Sequence, residues 1–385
     1  MRRLLALSTT ALLLGTAGAL LPAGPALAAT WSTVSSPNAS TGLNILAGVD
    51  ALATNNVWAV GRADHSPSAP FQRPLVLRWN GSAWVQSSTP GLSSDASLNG
   101  VDGSAADQVW AVGSRTVPAG GGSSTGAPLT ERWNGAGWSV VASAVPAGST
   151  GSSLSGVKTF SAASAWAVGT YSTSGAPFAR TLIERWDGTA WSVVPSPDPD
   201  PQVNLLSDVD GAAGNDVWAI GNVGNDGYGS TVAGIVLRWN GTAWRQVTVP
   251  GATGDATLRQ PVLNDVHVSA ANDVWIVGRA FHFGLFRMVP IFMHWNGTTW
   301  QSGFVDGAPA GGFHGVTALS PTRVYAVGDV TARWNGATWS LEGAAFPGVP
   351  LDAAATGTGT VWGAGYRYDP TLANYRTLTV RTTNG

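Results

Sequence analysis

The sequence predicts an all-β chain, a seven-bladed β-propeller of four-stranded blades whose last blade is closed by the N-terminal strand. Three observations carry this. A Trp-Ala-Val-Gly element recurs at Trp58, Trp110, Trp166, Trp218 and Trp275 and, in altered form, at Tyr325 and Trp362. Six of these are followed by an Arg-Trp-Asn-Gly-x-x-Trp element, at Arg78–Trp84, Arg132–Trp138, Arg185–Trp191, Arg238–Trp244, His294–Trp300 and Arg333–Trp339. Successive Trp58-type positions are 52, 56, 52, 57, 50 and 37 residues apart, and a period of this size with four strands per unit specifies radial blades rather than a solenoid.

Each unit reads as four short strands. The innermost, strand a, is Leu46–Leu52 in the first unit, with counterparts Leu98–Gly103, Leu154–Phe160, Leu206–Gly211, Leu263–Val268, Phe313–Leu319 and Leu351–Thr356. Strand b is of the Val57–Val60 type, strand c of the Leu75–Trp79 type, and Trp84-type residues open strand d. Runs this rich in β-branched and aromatic residues, bounded by Gly, Asn, Asp and Pro, favour strands over helices. The c–d connection is Asn-Gly or Asp-Gly, a strong local hairpin signal.

The ends of the chain complete one another. Thr30-Trp31-Ser32-Thr33-Val34 matches the tail of a unit with no unit before it, and the chain stops at Asn384-Gly385, the first half of the same motif. Joining them yields a complete c–d element, and a last unit completed by the first strand removes both open sheet edges. Ahead of this, residues 1–28 read as a signal peptide: Arg2 and Arg3, an apolar run Leu4–Leu21, then Pro22, Pro25 and Ala26-Leu27-Ala28. Polar residues interrupt that run, and a membrane anchor needs about 20 unbroken apolar residues. The domain expectation is therefore 1–28 signal peptide and 29–385 propeller, secreted.

Cleavage would remove two Arg and no acid, so Lys+Arg falls from 20 to 18 against 22 Asp+Glu, a net charge of −4. That balance argues against a nucleic-acid partner, and no later segment is apolar enough to span a bilayer. Zero Cys means that no disulfide framework holds the exported chain together. Only one Lys, Lys158, stands among many Arg, Ala and Gly, the bias of a GC-rich bacterial genome. All 19 Trp fall within the repeat; identical placement in every blade reads as packing between sheets, with sugar-stacking platforms as the functional alternative. Arg78, Arg132, Arg185, Arg238, His294 and Arg333 form a ladder expected to stack on Trp and pair with an acid of a neighbouring blade.

The order of these elements resembles the kelch repeat across the whole mature chain. Kelch units have a Gly pair after strand b, where this chain has single glycines at Gly61, Gly113, Gly169, Gly221 and Gly278. The Asn-Gly-x-x-Trp turn also resembles the Asp-box of sialidase-type propellers without its Ser-x-Asp-x-Gly spacing. Kelch-like propellers include the galactose oxidase group, whose copper radical site requires a Cys linked to a Tyr; with no Cys, that chemistry does not carry over.

No catalytic set emerges. The three Glu, Glu131, Glu184 and Glu342, lie in or beside strands, the five His (65, 267, 282, 294, 314) show no metal-binding spacing, and no G-x-S-x-G elbow is present. Two regions depart from the repeat. In strand a the residue after the Val of a Gly-Val or Asp-Val pair varies: Asp50, Asp102, Lys158, Asp210, His267, Thr317 and Ala355, with His314, Asp208, Asp265 and Asp352 nearby. These would ring the axial channel as a solvated wall or as a site for a structural cation or small ligand; no cofactor motif is present, and the metal question stays open. The second departure is the fifth b–c connection, Ala280–Phe292. It carries Phe281, Phe283, Phe286 and Met288 among eight large apolar or aromatic side chains, with Arg287 as its charge, either an exposed contact patch or a private minicore. The expectation is a monomeric binding module for an extracellular protein or glycan, with a lectin and a polysaccharide hydrolase or lyase as the competing classes.

Overall fold

The computed structural model describes residues 30–64, 71–120, 122–174, 178–224, 232–343, 346–357 and 359–382. Residues 1–28, expected to form a signal peptide, the Asn384-Gly385 junction and His65 lie outside these residues. The described chain forms seven antiparallel four-stranded sheets, six of them in simple chain order. Blade 1 is representative, with strand a Asn44–Ala53, strand b Asn56–Ala63, strand c Arg73–Trp79 and strand d Trp84–Gln86. Residues of all seven a strands line one central cavity, which makes the arrangement radial.

The seventh blade closes the ring. Its strands a, b and c are Val349–Ala355, Val361–Asp369 and Asn374–Thr382, and its fourth strand is Trp31–Val34 from the other end of the chain. Trp31 pairs with Thr382 and Val34 with Thr379. The Trp31 indole donates to Glu342 Oε2 of blade 6 at 2.7 Å in a buried position, so the closing strand is tied to its neighbour as well as to its own sheet.

The core is a ring of inter-blade clusters. In each, residues of one blade pack against those of the next, as Trp58, Val60 and Val76 pack against Leu98, Trp133 and Trp138. The strand b Trp is the wedge. Trp58 sits 5.1 and 5.3 Å from Trp133 and Trp138 of blade 2, Trp110 repeats this with Trp186 and Trp191, and Trp166 with Trp239 and Trp244. Trp362 of blade 7 does the same with Trp79 and Trp84 of blade 1. In blade 6 the wedge is Tyr325, edge-on to Trp31. Only Trp295, Trp300 and Trp339 are half-buried and the other Trp are buried, so the indoles are spent on packing between sheets.

Two local features follow from the motif. Every a strand bulges just before its Gly-Val or Asp-Val pair, or before Asp352-Ala353 in blade 7, as between Leu46 and Gly48. The bulge pushes a carbonyl onto strand b, and a Cβ at Gly61 would collide with the Ile45 oxygen; this explains the Gly that ends each Trp-Ala-Val-Gly element. The c–d turn spans four residues rather than the two of a simple Asn-Gly hairpin, because Trp79 pairs directly with Trp84. Asn80 Oδ1 accepts from the Ser82 and Ala83 amides, and Gly81 takes φ +98°.

The fifth b–c connection is not a loop. Strand b runs through Asp273–His282 and strand c from Arg287 to Trp295, leaving a four-residue tip. Blade 2 likewise extends as a long hairpin over Gln108–Gly120 and Ser123–Trp133, through a Gly-, Ser- and Pro-rich stretch, 118–128, whose composition favours a loop. The ladder, with Thr116 opposite Gly126 and Val117 opposite Thr125, continues past the point where Gly and Ser suggest a break.

Deleting residues 31–37 is expected to leave strand c of blade 7 unpaired and Glu342 without its indole donor, with a lower Tm and aggregation by size-exclusion chromatography. A deletion variant that stays monomeric with an unchanged Tm would contradict this closure.

Candidate functional site

The a strands bring most of the predicted ring together. Asp50, Asp102, Lys158, Asp210 and His267 line one axial cavity of about 250 Å³ with Thr317. The seventh position is Ala354, not Ala355, because Ala354 pairs with Trp362 as Asp50 pairs with Trp58; the run Asp352-Ala-Ala-Ala has no branched residue to mark the register. His314 lines a separate cavity of about 100 Å³ with Asp208, Asp265 and Asp352, and its Nε2 lies 3.6 Å from Asp329 of its own blade.

The channel carboxylates are inter-blade staples. Asp50 Oδ2 accepts the Gly103 amide of blade 2, Asp102 the Thr159 amide of blade 3, and Asp210 the Val268 amide of blade 5. One residue pair earlier along the strand, Asp208, Asp265 and Asp352 accept the amides of Val266, Val316 and Val49, again in the next blade. The other blades carry Gly at this level, where a side chain on Gly48, Gly100 or Gly156 would press on the adjacent strand. Lys158 lies between Asp102 and Asp210, with Nζ 3.3 and 2.9 Å from their Oδ1 atoms, and so ties blades 2, 3 and 4.

Burial controls the electrostatics. Desolvation, with Asp102 adding to it and Lys158 opposing it, raises Asp50 to about 8. Asp102 rises to about 6 and Asp352 to about 7, both through desolvation. Asp208 and Asp265 are both raised, Asp208 by burial and Asp265 well above the ordinary carboxyl range by burial and by the neighbouring Asp208 charge. Lys158 is held well above its ordinary value: burial pulls it down, and the attraction of Asp102 and Asp210 outweighs that pull. Away from the axis, Glu131 and Glu184 are fully buried and rise to about 7 by desolvation. Glu184 is held by the Ser143 hydroxyl and Ala144 amide, whereas both Glu131 oxygens lack a partner. The sequence equivalents of Ser143 and Ala144 in the preceding connection are Thr89 and Pro90, and Pro90 has no amide hydrogen.

Chemically this channel is a structural seam. Its cavities of about 250 and 100 Å³ fall below the roughly 300–1,000 Å³ of ligand pockets. Among the described residues no group of three or more His, Asp or Glu is arranged to hold a metal ion.

The cationic ladder stacks as expected and pairs differently. The guanidinium carbons of Arg78 and Arg238 lie 4.9 and 4.8 Å from the Trp58 and Trp218 ring centroids. Their polar partners open strand b of the same blade: Asn56 for Arg78, Gln108 for Arg132 and Asp216 for Arg238. The register sets each cation opposite its own blade's aromatic, as Arg78 faces Trp58, so the head group reaches two residues back along that strand. A seventh rung unnoticed in the sequence is Arg381, opposite Trp362; its signal was the Arg381 that precedes the terminal Asn-Gly.

The fifth hairpin divides at its tip. Val289, Ile291, Phe292 and Met293 are core, and Phe281, Arg287 and Met288 are half-buried. Phe283, Leu285 and Phe286 remain 44%, 45% and 75% exposed. The tip is nonetheless held, since the Phe283 amide donates to Thr257 O and the Arg259 guanidinium lies 4.5 Å from the Phe283 ring. Phe286 and Gln260 both adopt φ near +50°, an unfavourable backbone region for such side chains. A groove of about 500 Å³ beside the tip is lined by Asp255, Arg259, Gln260, Phe281 and Phe283.

No family model matches this chain, and no curated protein matches it. Solved structures match over nearly its whole length. YCF48 bound to a D1 peptide aligns with 92% of this chain and 97% of its own at 13% identity and a TM-score of 0.55. The WD40 propeller domain of Doa1 covers 92% and 97% at 12% identity and 0.52. The polysaccharide lyase Uly1 covers 88% and 89% at 11% identity and 0.51. These likenesses are of fold. The chain is a seven-bladed β-propeller, and they support no narrower group, the kelch and galactose oxidase proteins included.

Two predictions follow from the channel. Asp50, Asp102 and Asp352 stand at about 8, 6 and 7 against 3.8 for a free carboxyl. The folded chain therefore holds more protons than the unfolded one from about pH 4 to pH 8, and stability falls as pH rises through that window. Glu131 and Glu184 act in the same direction; His267, lowered by burial, opposes it only below its ordinary 6.5. Urea unfolding is expected to give a larger free energy at about pH 5 than at about pH 8, and a rise over that interval would contradict the assignment. Lys158→Met leaves buried carboxylates without their cation, and should cost about 3–5 kcal/mol at neutral pH and less in acid. An unchanged denaturation midpoint would show that the staple is idle.

Proposed function

We propose that this chain is an exported binding module that meets an extracellular protein or glycan through the face carrying its b–c and d–a connections, with the blade 5 hairpin tip as the contact. The exposure of Phe283, Leu285 and Phe286 within one four-residue ordered tip carries this reading. Large apolar side chains held in water at a fixed place are a contact surface in waiting. Arg287, Met288 and Phe281 would set the tip's angle from below.

A glycan is favoured by the groove beside the tip, where aromatic side chains stand next to a carboxylate, a guanidinium and an amide, at Asp255, Arg259 and Gln260. Sugar rings present an apolar face to an aromatic ring and hydroxyls to such planar polar groups. A hydrolase or lyase would need a separated carboxylate pair facing a polymer-sized cleft. The channel acids are engaged with backbone amides in cavities too small for a polymer. The peptide complex and the lyase that share this fold show that architecture does not choose among such roles, and the kelch-like order of elements belongs to this reading as an analogy of architecture.

Replacing Phe283 and Phe286 together by Ser is expected to leave the Tm nearly unchanged while abolishing capture of the partner from the native extracellular fraction, and binding on a glycan array if the partner is a sugar. A large fall in Tm with unaltered capture would place these rings in the core and remove the proposal.

A further inference from the structure

Blade 5 also departs from the repeat on its opposite face, independently of the hairpin. The ladder residue there is His294 rather than Arg, whereas strand b opens with an acid, Asp273, as it does with Asp216 in blade 4. Blade 4 shows what the full pair does: Arg238 Nε and Nη2 bind Asp216 Oδ1 and Oδ2 at 2.7 and 3.0 Å. In blade 5 the imidazole takes over the stacking position, 3.8 Å from the Trp275 ring at 10°. Its Nε2 reaches Asp273 Oδ1 at 2.8 Å, and Trp275 Nε1 bonds the same oxygen at 3.0 Å.

Asp273 Oδ2, the equivalent of the oxygen that takes Arg238 Nη2, is left with no partner in a residue only 6% exposed. A cavity of about 700 Å³ opens beside it, lined by Ser269, Asn272, Asp273, His294, Asn296 and Ser320, and no Arg or Lys lines it. The wall thus combines a carboxylate, two imidazoles, His267 and His294, and side-chain carbonyls and hydroxyls beside an apolar edge of Val268, Leu319 and Pro321, and it carries no Arg or Lys.

We propose that this cavity binds a guanidinium group, borne by an arginine side chain of a partner polypeptide or by a free alkylguanidine, which supplies from outside the cation that the repeat lacks at this rung. The planar fork of N–H donors matches a carboxylate with a free oxygen better than an ammonium does. Entry requires the Asp273 carboxylate to turn toward the cavity, and the free oxygen gains a donor when it does.

Binding of methylguanidinium is measured on the full chain by NMR of labelled histidine, following the His294 imidazole, with a blocked Gly-Arg-Gly peptide, methylammonium and urea in parallel. Saturable shifts of His294 are expected with methylguanidinium, about tenfold weaker with methylammonium and absent with uncharged urea. A tighter peptide than methylguanidinium assigns the source to a protein-borne arginine, and a weaker one to a free guanidine. Asp273→Asn should remove binding, and His294→Arg should remove it while raising the Tm, since the chain then fills its own rung. Failure of methylguanidinium to saturate in the millimolar range, or undiminished binding to a folded Asp273→Asn variant, would overturn the proposal. Because the hairpin tip lies on the other face, Phe283→Ser/Phe286→Ser should leave these shifts unchanged.

Discussion

The insertion of a strand b aromatic against the indoles of the next blade, with both the strand c and the strand d indole met at five of the seven joints, is the interaction on which this molecule depends. Trp58 against Trp133 and Trp138, and Trp362 against Trp79 and Trp84, are the same joint at two points of the ring. Aromatic pairs of this geometry are worth about 0.5–1.5 kcal/mol each beyond the area they bury. Their greater effect is geometric. A chain without Cys has no covalent link between blades, and a closed ring lets no joint loosen without straining the others. The strand exchange at the termini belongs to this constraint: Trp31 completes blade 7, packs on Tyr325 of blade 6 and donates to Glu342.

Convergence of seven strands on one axis creates the second problem, the disposal of backbone amides at the bulged a strands. Where the neighbouring strand comes close, Gly48, Gly100 and Gly156 leave room for it. Elsewhere an Asp reaches across and accepts the amide of the next blade. The solution collects carboxylates in a narrow space around one central cation. Lys158 bridges Asp102 and Asp210, and burial holds Asp208 and Asp265 above the ordinary carboxyl range. The carboxylates that join the blades are thus the same groups whose burial raises their pKa values.

Much of this was legible because each signature residue has one dominant physical reason. Trp at matching positions in every unit meant sheet-to-sheet packing, Asn-Gly meant a reversal, and the orphan Trp31 segment meant closure. What stayed hidden required knowledge of spatial partners. The ring position in blade 7 slipped by one residue because Asp352-Ala-Ala-Ala offers no pattern. The fifth and second b–c segments read as loops, since Gly, Ser and Pro mask a strand whose alternation continues. That the channel acids bind backbone amides of the following blade, and that the Arg ladder bonds its own blade, are facts of register that no spacing reveals.

A closed repeat of this kind tolerates change only where a side chain is not part of a joint, so departures from the pattern are informative in proportion to the regularity around them. Blade 5 concentrates them. Its strand a bulges at Arg259–Val262 and turns Gln260 to a positive φ, its hairpin tip carries Phe283 and Phe286 into solvent, and its ladder cation is exchanged for His294. Exposed rings and unpartnered buried carboxylate oxygens occur in other blades as well, at Tyr368 and Tyr375 of blade 7 and at Glu131 of blade 2. Among the described residues, blade 5 is where both occur together with the exchange of the ladder cation for His294. On the proposed reading, a ligand of matching chemistry would cover the rings at the tip and supply a donor at the rung, on opposite faces of the same sheet.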